Sequence, residues 1–159
     1  MEKLKEENLK KFQLIDRELE LVFNGEREVS EPDVGIKAYY FKMQNAFTGE
    51  EMGFINIKKG MSENIKKYRG NIGFEVFEKH RGNNYSSRSC KLLVPIIKFL
   101  GFEFVYITCN SSNYSSKKNI EKLGARLLET LYIDENCKFS RYYEGESRIK
   151  LHYIWELGN

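Results

Sequence analysis

Gly73-Phe74-Glu75-Val76-Phe77-Glu78-Lys79-His80-Arg81-Gly82-Asn83-Asn84-Tyr85-Ser86 carries the strongest local signal in the chain. It opens as a strand, passes through a short polar loop at Gly82-Asn83-Asn84, and enters a helical pattern at Tyr85. Apolar positions Cys90, Leu93, Ile97 and Leu100 then recur at spacings of three and four, which predicts a helix over 85–100 stopped by Gly101. Pro95 lies inside it and is expected to kink it, because proline removes a backbone donor and crowds the preceding turn. The start of a helix presents unpaired N–H groups and the positive end of the macrodipole, and small residues let a phosphate approach them. The stretch is therefore a candidate pyrophosphate cradle. It also reads as an ordinary strand-to-helix connection in which Gly82-Asn83-Asn84 only makes the turn.

Downstream, Phe104–Cys109 is an apolar run suited to a central strand, and Ser115–Leu123 reads as a second helix ending at Gly124. Arg126–Ile133 and Arg148–Leu157 read as two further strands. Upstream, Ile36–Gln44 and Met52–Lys58 are rich in β-branched and aromatic residues, with Asn45-Ala46-Phe47-Thr48-Gly49 as a hairpin loop between them. Leu9, Phe12 and Ile15 recur at helical spacing, whereas Leu19, Leu21 and Phe23 alternate. The reading is a short helix or coil, then a strand near Glu18–Phe23, then a connection from Asn24 to Gly35 that contains Asn24-Gly25 and Pro32. Strands, then strand-helix-strand-helix, then two strands predict an α/β or α+β domain around a central mixed sheet.

The 159 residues suit one domain with a sizeable core. Lys plus Arg is 26 against 23 Asp plus Glu, and a surplus of three with no concentrated basic stripe argues against a nucleic-acid partner. No apolar run is long enough to span a bilayer, and Met1-Glu2-Lys3-Leu4-Lys5-Glu6-Glu7 lacks the apolar core of a signal peptide. Cys90, Cys109 and Cys137 are odd in number and lack C-x-x-C spacing, and His80 and His152 are far apart. A disulfide framework and a metal site are not expected, and a reduced cytoplasmic protein, monomer or homodimer, is.

The stretch after the Asn71–Phe77 strand resembles the acyl-CoA-binding motif of the GNAT superfamily of N-acetyltransferases. That motif is Arg or Gln, two residues, Gly, one residue, then Gly or Ala. Arg81 takes its first position, Asn84 the first small position and Ser86 the second. Asn84 departs from glycine, but Asn is the side chain most tolerant of left-handed backbone angles. A second segment, Asn113-Tyr114-Ser115-Ser116 followed by Glu121-Lys122-Leu123-Gly124-Ala125, resembles the next motif of that superfamily. Asn113 or Ser115 can equally cap the second helix, and both roles can hold together. The resemblance is best over Asn71–Thr130 and closest to the branch of ribosomal-protein and small-amine acetyltransferases. It implies one GNAT domain over residues 1–159, with a mostly antiparallel mixed sheet flanked by helices.

The implied chemistry is that of an acyltransferase moving an acetyl group directly from the acetyl-CoA thioester to a primary amine of a small molecule or protein. The resemblance implies a cofactor site at Phe74, Val76, Arg81, Gly82, Asn83, Asn84, Tyr85, Ser86, Ser87, Asn113 and Ser116, without a metal. Such a site must orient two reactants, remove a proton from an ammonium group and stabilise an oxyanion. Glu75 is the one carboxylate inside the strand core, and so the candidate general base. Simple pleating sets it opposite Phe74 and Val76, which reads equally as a solvent-facing residue. Many relatives carry a Tyr four residues before the Gly that ends the second helix, to protonate the departing thiolate. Here that position is Ile120, and no general acid is assigned. An acyl-CoA-binding module without turnover is the alternative. Arg88 and Lys91 can meet phosphates or be surface charges. The loop Arg141-Tyr142-Tyr143-Glu144-Gly145-Glu146 can recognise a cationic amine or be a solvated hairpin.

Overall fold

Alternation in the first half of the chain produces an antiparallel meander. In a computed structural model, which describes residues 5–158, a short helix α1 (Glu6–Leu9) leads into β1 (Ile15–Asp16), β2 (Leu19–Glu28), β3 (Lys37–Asn45), β4 (Glu51–Lys59) and β5 (Ile72–Val76). These strands form one sheet in chain order, every pairing antiparallel. The charged opening residues 1–4 lie outside the described residues. After β5 come α2 (Tyr85–Phe99), β6 (Phe104–Asn110), α3 (Tyr114–Lys122), β7 (Arg126–Tyr132) and β8 (Ile149–Glu156). β8 lies between β6 and β7 in a second antiparallel sheet. The expected α+β architecture, mostly antiparallel and flanked by helices, is present, with the sheet divided in two between β5 and β6.

The core lies where α2 covers the first sheet. Cys90, Leu93, Ile96 and Ile97 of α2 are fully buried against Leu19 and Leu21 of β2, Phe41 and Met43 of β3 and Ile55 and Ile57 of β4. Val105 and Ile107 of β6 continue the same core into the second sheet. The helix runs through Pro95 without interruption. Pro95 is on its exposed side, where water can bond the carbonyl that loses its donor.

Three elements differ from the sequence reading. Asn24-Gly25 does not begin a connection. It forms a bulge inside β2, where the register shifts between Phe23 and Glu26 and Gly25 takes a φ of +102°. A π-helical turn, Ile65–Arg69, fills the passage from β4 to β5, for which nothing was expected. Finally, the Arg141–Glu146 loop is exposed at Arg141 and at Glu144-Gly145-Glu146 but not at its centre. Tyr143 ends a 3₁₀ turn (Ser140–Tyr143) and is fully buried, donating its hydroxyl hydrogen to Asn64 Oδ1 at 2.5 Å.

Asn71 joins the two sheets. Its side-chain amide donates to the carbonyls of Lys58 at 3.1 Å and Gly60 at 2.9 Å, and its Oδ1 accepts from the Tyr106 N–H at 2.9 Å. Its backbone N–H donates to the Tyr106 carbonyl at 2.7 Å, and its carbonyl accepts from the Lys58 N–H at 2.7 Å. A second joint fixes the start of α2. Arg88 pairs with Asp16 and Glu18, both at 2.7 Å, and also donates to the Asp16 carbonyl at 2.8 Å. The hydroxyl of Tyr85 donates to Glu18 at 3.1 Å. Arg88 is thus committed to the fold and does not face a cofactor, while Lys91 is exposed.

Asn71→Ala leaves buried backbone donors and acceptors unpaired. We expect a loss of about 3 kcal/mol and a melting temperature lower by roughly 6–12 °C. Asn71→Asp should be no better, since a carboxylate cannot donate to the two carbonyls. Equal melting curves for wild type and Asn71→Ala would refute the role. The Arg88 joint also carries a pH signature. Hydrogen bonding from Arg88 comes first among the causes that hold the Glu18 carboxyl at about 2 instead of its ordinary 4.5. A carboxyl with a depressed native pKa contributes fully above its unfolded value and loses that contribution as pH falls through the folded one. Wild-type stability should therefore drop between about pH 4.5 and pH 2. Acid titrations of Arg88→Met, followed by circular dichroism, should show a flatter limb over that window.

Candidate active site

The site begins where β5 leaves β6. Beyond Asn71, no backbone hydrogen bond joins the two strands among the described residues. On its other side β5 is fully engaged. The Phe77 N–H donates to the Met52 carbonyl, and Gly73, Glu75 and Phe77 occupy the positions that bond toward β4. Alternation then turns the N–H groups of Phe74 and Val76 toward the opening beside β6. Val76 has its carbonyl taken by Arg81 Nε at 3.1 Å, which leaves its N–H. A cleft follows, in two connected parts enclosing about 270 and 230 Å³. Phe74, Asn113 and Ser116 line both.

The first part runs along the loop into α2. Gly82 and Asn84 both have positive φ, +96° and +59°, and the sequence meets these demands with a glycine and an asparagine. The left-handed Asn84 is thus accommodated as expected. Its side chain is held by Lys122 of α3 at 2.5 Å. Two of the helix-opening N–H groups, those of Tyr85 and Ser86, make no bond within the protein among the described residues. The third, on Ser87, donates to the side-chain oxygen of Asn119 at 3.1 Å.

Most of the residues singled out from the sequence meet here. Phe74, Glu75 and Val76 come from β5, and Arg81, Gly82 and Asn84 from the loop. Tyr85 and Ser86 open α2, and Asn113 and Ser116 open α3. Two do not line the cleft. Asn83 is turned back, donating to the His80 carbonyl at 3.1 Å, and the Ser87 hydroxyl is buried and donates to the Asn84 carbonyl at 3.2 Å. Asn113 caps α3 by accepting from the Ser116 N–H at 3.1 Å, which is the capping role open to it from the sequence. Glu75 is exposed at the rim, as pleating requires. Ile120 is fully buried in the core.

His80 and Asn119 also line the first part, and sequence reasoning missed both. Asn119 lies one helical turn after Ser115, on the same face of α3, and that spacing was the available signal. Lys58 of β4 lines the second part together with Tyr68 and Arg69, which the π-helical turn brings there by packing residues 65–69 against β6. Cys109 also lines it, and burial pushes its thiol up to about 11. It is therefore a neutral thiol at physiological pH, a poor nucleophile.

At the level of sequence, no family model and no curated protein matches this chain. At the level of structure, it is similar to the microcin C7 self-immunity acetyltransferase MccE in complex with acetyl-CoA and AMP, at a TM-score of 0.55 and 16% identity over 75% of this chain. It is similar also to RimL, a ribosomal L7/L12 alpha-N-protein acetyltransferase, in complex with coenzyme A (0.56, 17%, 75% of this chain). A GNAT-family acetyltransferase from Bacillus anthracis gives 0.58 at 18% identity over 74%. The chain matches 61, 62 and 66% of those three chains, respectively. The chain thus shares its fold with these acetyltransferases, one of which is described as of the GNAT family.

Proposed function

We propose that this chain is an acetyl-CoA-dependent N-acetyltransferase that acylates a primary amine by direct transfer. One observation carries the reading. The N–H groups of Phe74 and Val76, which alternation along β5 turns away from β4, line the same cleft as the N–H groups of Tyr85 and Ser86 at the start of α2, which make no bond among the described residues. Fixed donors of this kind suit, in turn, an amide-bearing chain with a thioester at its end and a pyrophosphate. Acetyl-CoA has both, and it supplies an acyl carbon that an amine attacks while the carbon–sulfur bond breaks.

The chain's own residues then have defined tasks. Tyr85, Ser86 and the positive end of α2 bind the pyrophosphate. Phe74 and Val76 orient the thioester arm as an added strand would be held. Glu75, at the rim, takes the proton that the ammonium must lose before attack, directly or through one water. The thiolate leaves without an acid from the Ile120 position, as a weakly basic sulfur can. Cys109, held as a neutral thiol, does not accept the acetyl group, which favours direct transfer over an acyl-enzyme. The buried Ile120 also favours a second reading, acyl-CoA binding without turnover. Free-thiol release with a panel of amines separates the two.

Ser86→Glu should abolish CoA binding through bulk and charge repulsion, measured by calorimetry on protein whose fold is verified by circular dichroism. Unchanged affinity in the folded variant removes this site. Glu75→Gln should bind acetyl-CoA normally and turn over roughly 10²-fold more slowly at pH 7. The deficit should shrink as pH rises, because more of the amine is then already neutral. Wild-type turnover in Glu75→Gln at pH 7 would remove Glu75 as the base.

A further inference from the structure

The second part of the cleft holds an excess of buried positive charge. Lys58 and Lys150 are only 8 and 4% exposed, and Arg69 stands beside them. Glu146 is the one carboxylate among the residues that line this part. It is shared between Lys150 at 3.3 Å and Arg69 at 3.8 Å. Lys150 also donates to Asn110 Oδ1 at 2.6 Å, and the Arg69 guanidinium and the Lys150 ammonium lie over the Tyr143 ring at 4.6 and 5.2 Å. Lys58 has a neutral hydrogen-bond partner, Asn56 Oδ1, at 2.9 Å. Asp33, whose charge also acts on Lys58, accepts hydrogen bonds from Ser62 and Asn64. Burial, and then the charge of Arg69, lower the Lys58 pKa to about 8 against an opposing pull from Asp33. Three cations thus line a part of the cleft that holds one carboxylate, and two of them, Lys58 and Lys150, are buried, where a charge without a counter-charge is costly.

The position of Lys58 adds direction. Gly73 of β5 has no side chain, and a methyl there would come within 3.0 Å of Asn56 Nδ2 and 3.4 Å of Lys58 Nζ. The ammonium therefore looks across bare backbone of the same strand that offers the Phe74 N–H to the cleft. A group held by Lys58, Arg69 and Lys150 is thus held beside that strand and away from the opening of α2.

We infer that the acceptor of this chain is a primary amine carrying its own anionic group, a carboxylate or a phosphate, which Lys58, Arg69 and Lys150 bind. This rests on the acetyl transfer proposed above. The bidentate fork of Arg69 suits either anion, and the two lysines serve as point charges. The acceptor nitrogen, tethered to that anion, is delivered toward β5, where proximity does the rest.

The test uses matched acceptors that differ only in charge: β-alanine against its amide, and 2-aminoethyl phosphate against ethanolamine. Thiol release is measured with acetyl-CoA, and rates are compared per unprotonated amine. The anionic member of at least one pair should show a kcat/KM about tenfold higher or more, through KM. The pair with the larger ratio tells carboxylate from phosphate. Arg69→Gln, at a half-exposed position and with its fold verified by circular dichroism, should cut that ratio to about threefold or less while the KM for acetyl-CoA stays within about twofold. Lys150→Met is the second variant. Ratios below about twofold in both pairs, or ratios that survive Arg69→Gln, overturn the inference. So does faster turnover of succinyl-CoA than of acetyl-CoA with a neutral amine, since the anion then belongs to the donor. If no amine is acetylated, calorimetry with the same four compounds decides the matter on its own. Tighter binding of the anionic members, lost in Arg69→Gln, keeps the anion site and discards the transfer reaction. Equal binding discards the anion site as well.

Discussion

The arrangement depends on one asparagine that stands where two sheets would otherwise run on as one. Asn71 satisfies backbone groups of β4, of the Gly60 turn and of β6 at a point with no room for water. A ladder made of backbone alone would keep pairing down the strands. A side chain that completes the last pair lets the strands part immediately afterwards, since nothing beyond it needs a partner across the gap. The cleft is in this sense a controlled end to pairing, and its donors are those the ladder no longer uses.

The Arg88 cluster does for α2 what Asn71 does for β5. A helix that presents its first amides to an anion must not rock, and the turn carrying those amides is tied through Arg88 and Tyr85 to β1 and to the turn that follows it. The apolar side of α2 fixes its depth, and the ion cluster its rotation. Charge at this helix start is thereby directed into the scaffold, leaving the amides themselves for a ligand.

The parts that were legible in the sequence are those where local chemistry and tertiary demand coincide. The strand–loop–helix of 73–86 could be read because a left-handed position calls for Gly or Asn, and Gly82 and Asn84 supply them. Asn113 announced a cap and became one. Where local signals were outvoted, the reading failed. Asn24-Gly25 carries the signal of a turn, yet pairing with β3 on both sides absorbs it as a bulge. Arg88 read as a surface charge or a phosphate ligand and is neither, because its partners, Asp16 and Glu18, are remote in sequence. Tyr143 looked like a loop residue because its hydroxyl partner sits far upstream at Asn64. The cations of the cleft come from β4, the π-helical turn and β8, so no spacing rule could have gathered them.

Asn119 gives the cradle an occupant of its own. One of three helix-opening amides is already bonded to a neutral side chain from α3. The helix end therefore folds without waiting for an anion, and it does not attract any passing sulfate or carboxylate with its full strength. A single negative group gains two amides and must compete for the third, whereas a doubly charged diester, long enough to reach both free donors at once, has less need of it. In the acetyl-CoA site proposed above, the half-plugged end would thus set a minimum size and charge for what is held there.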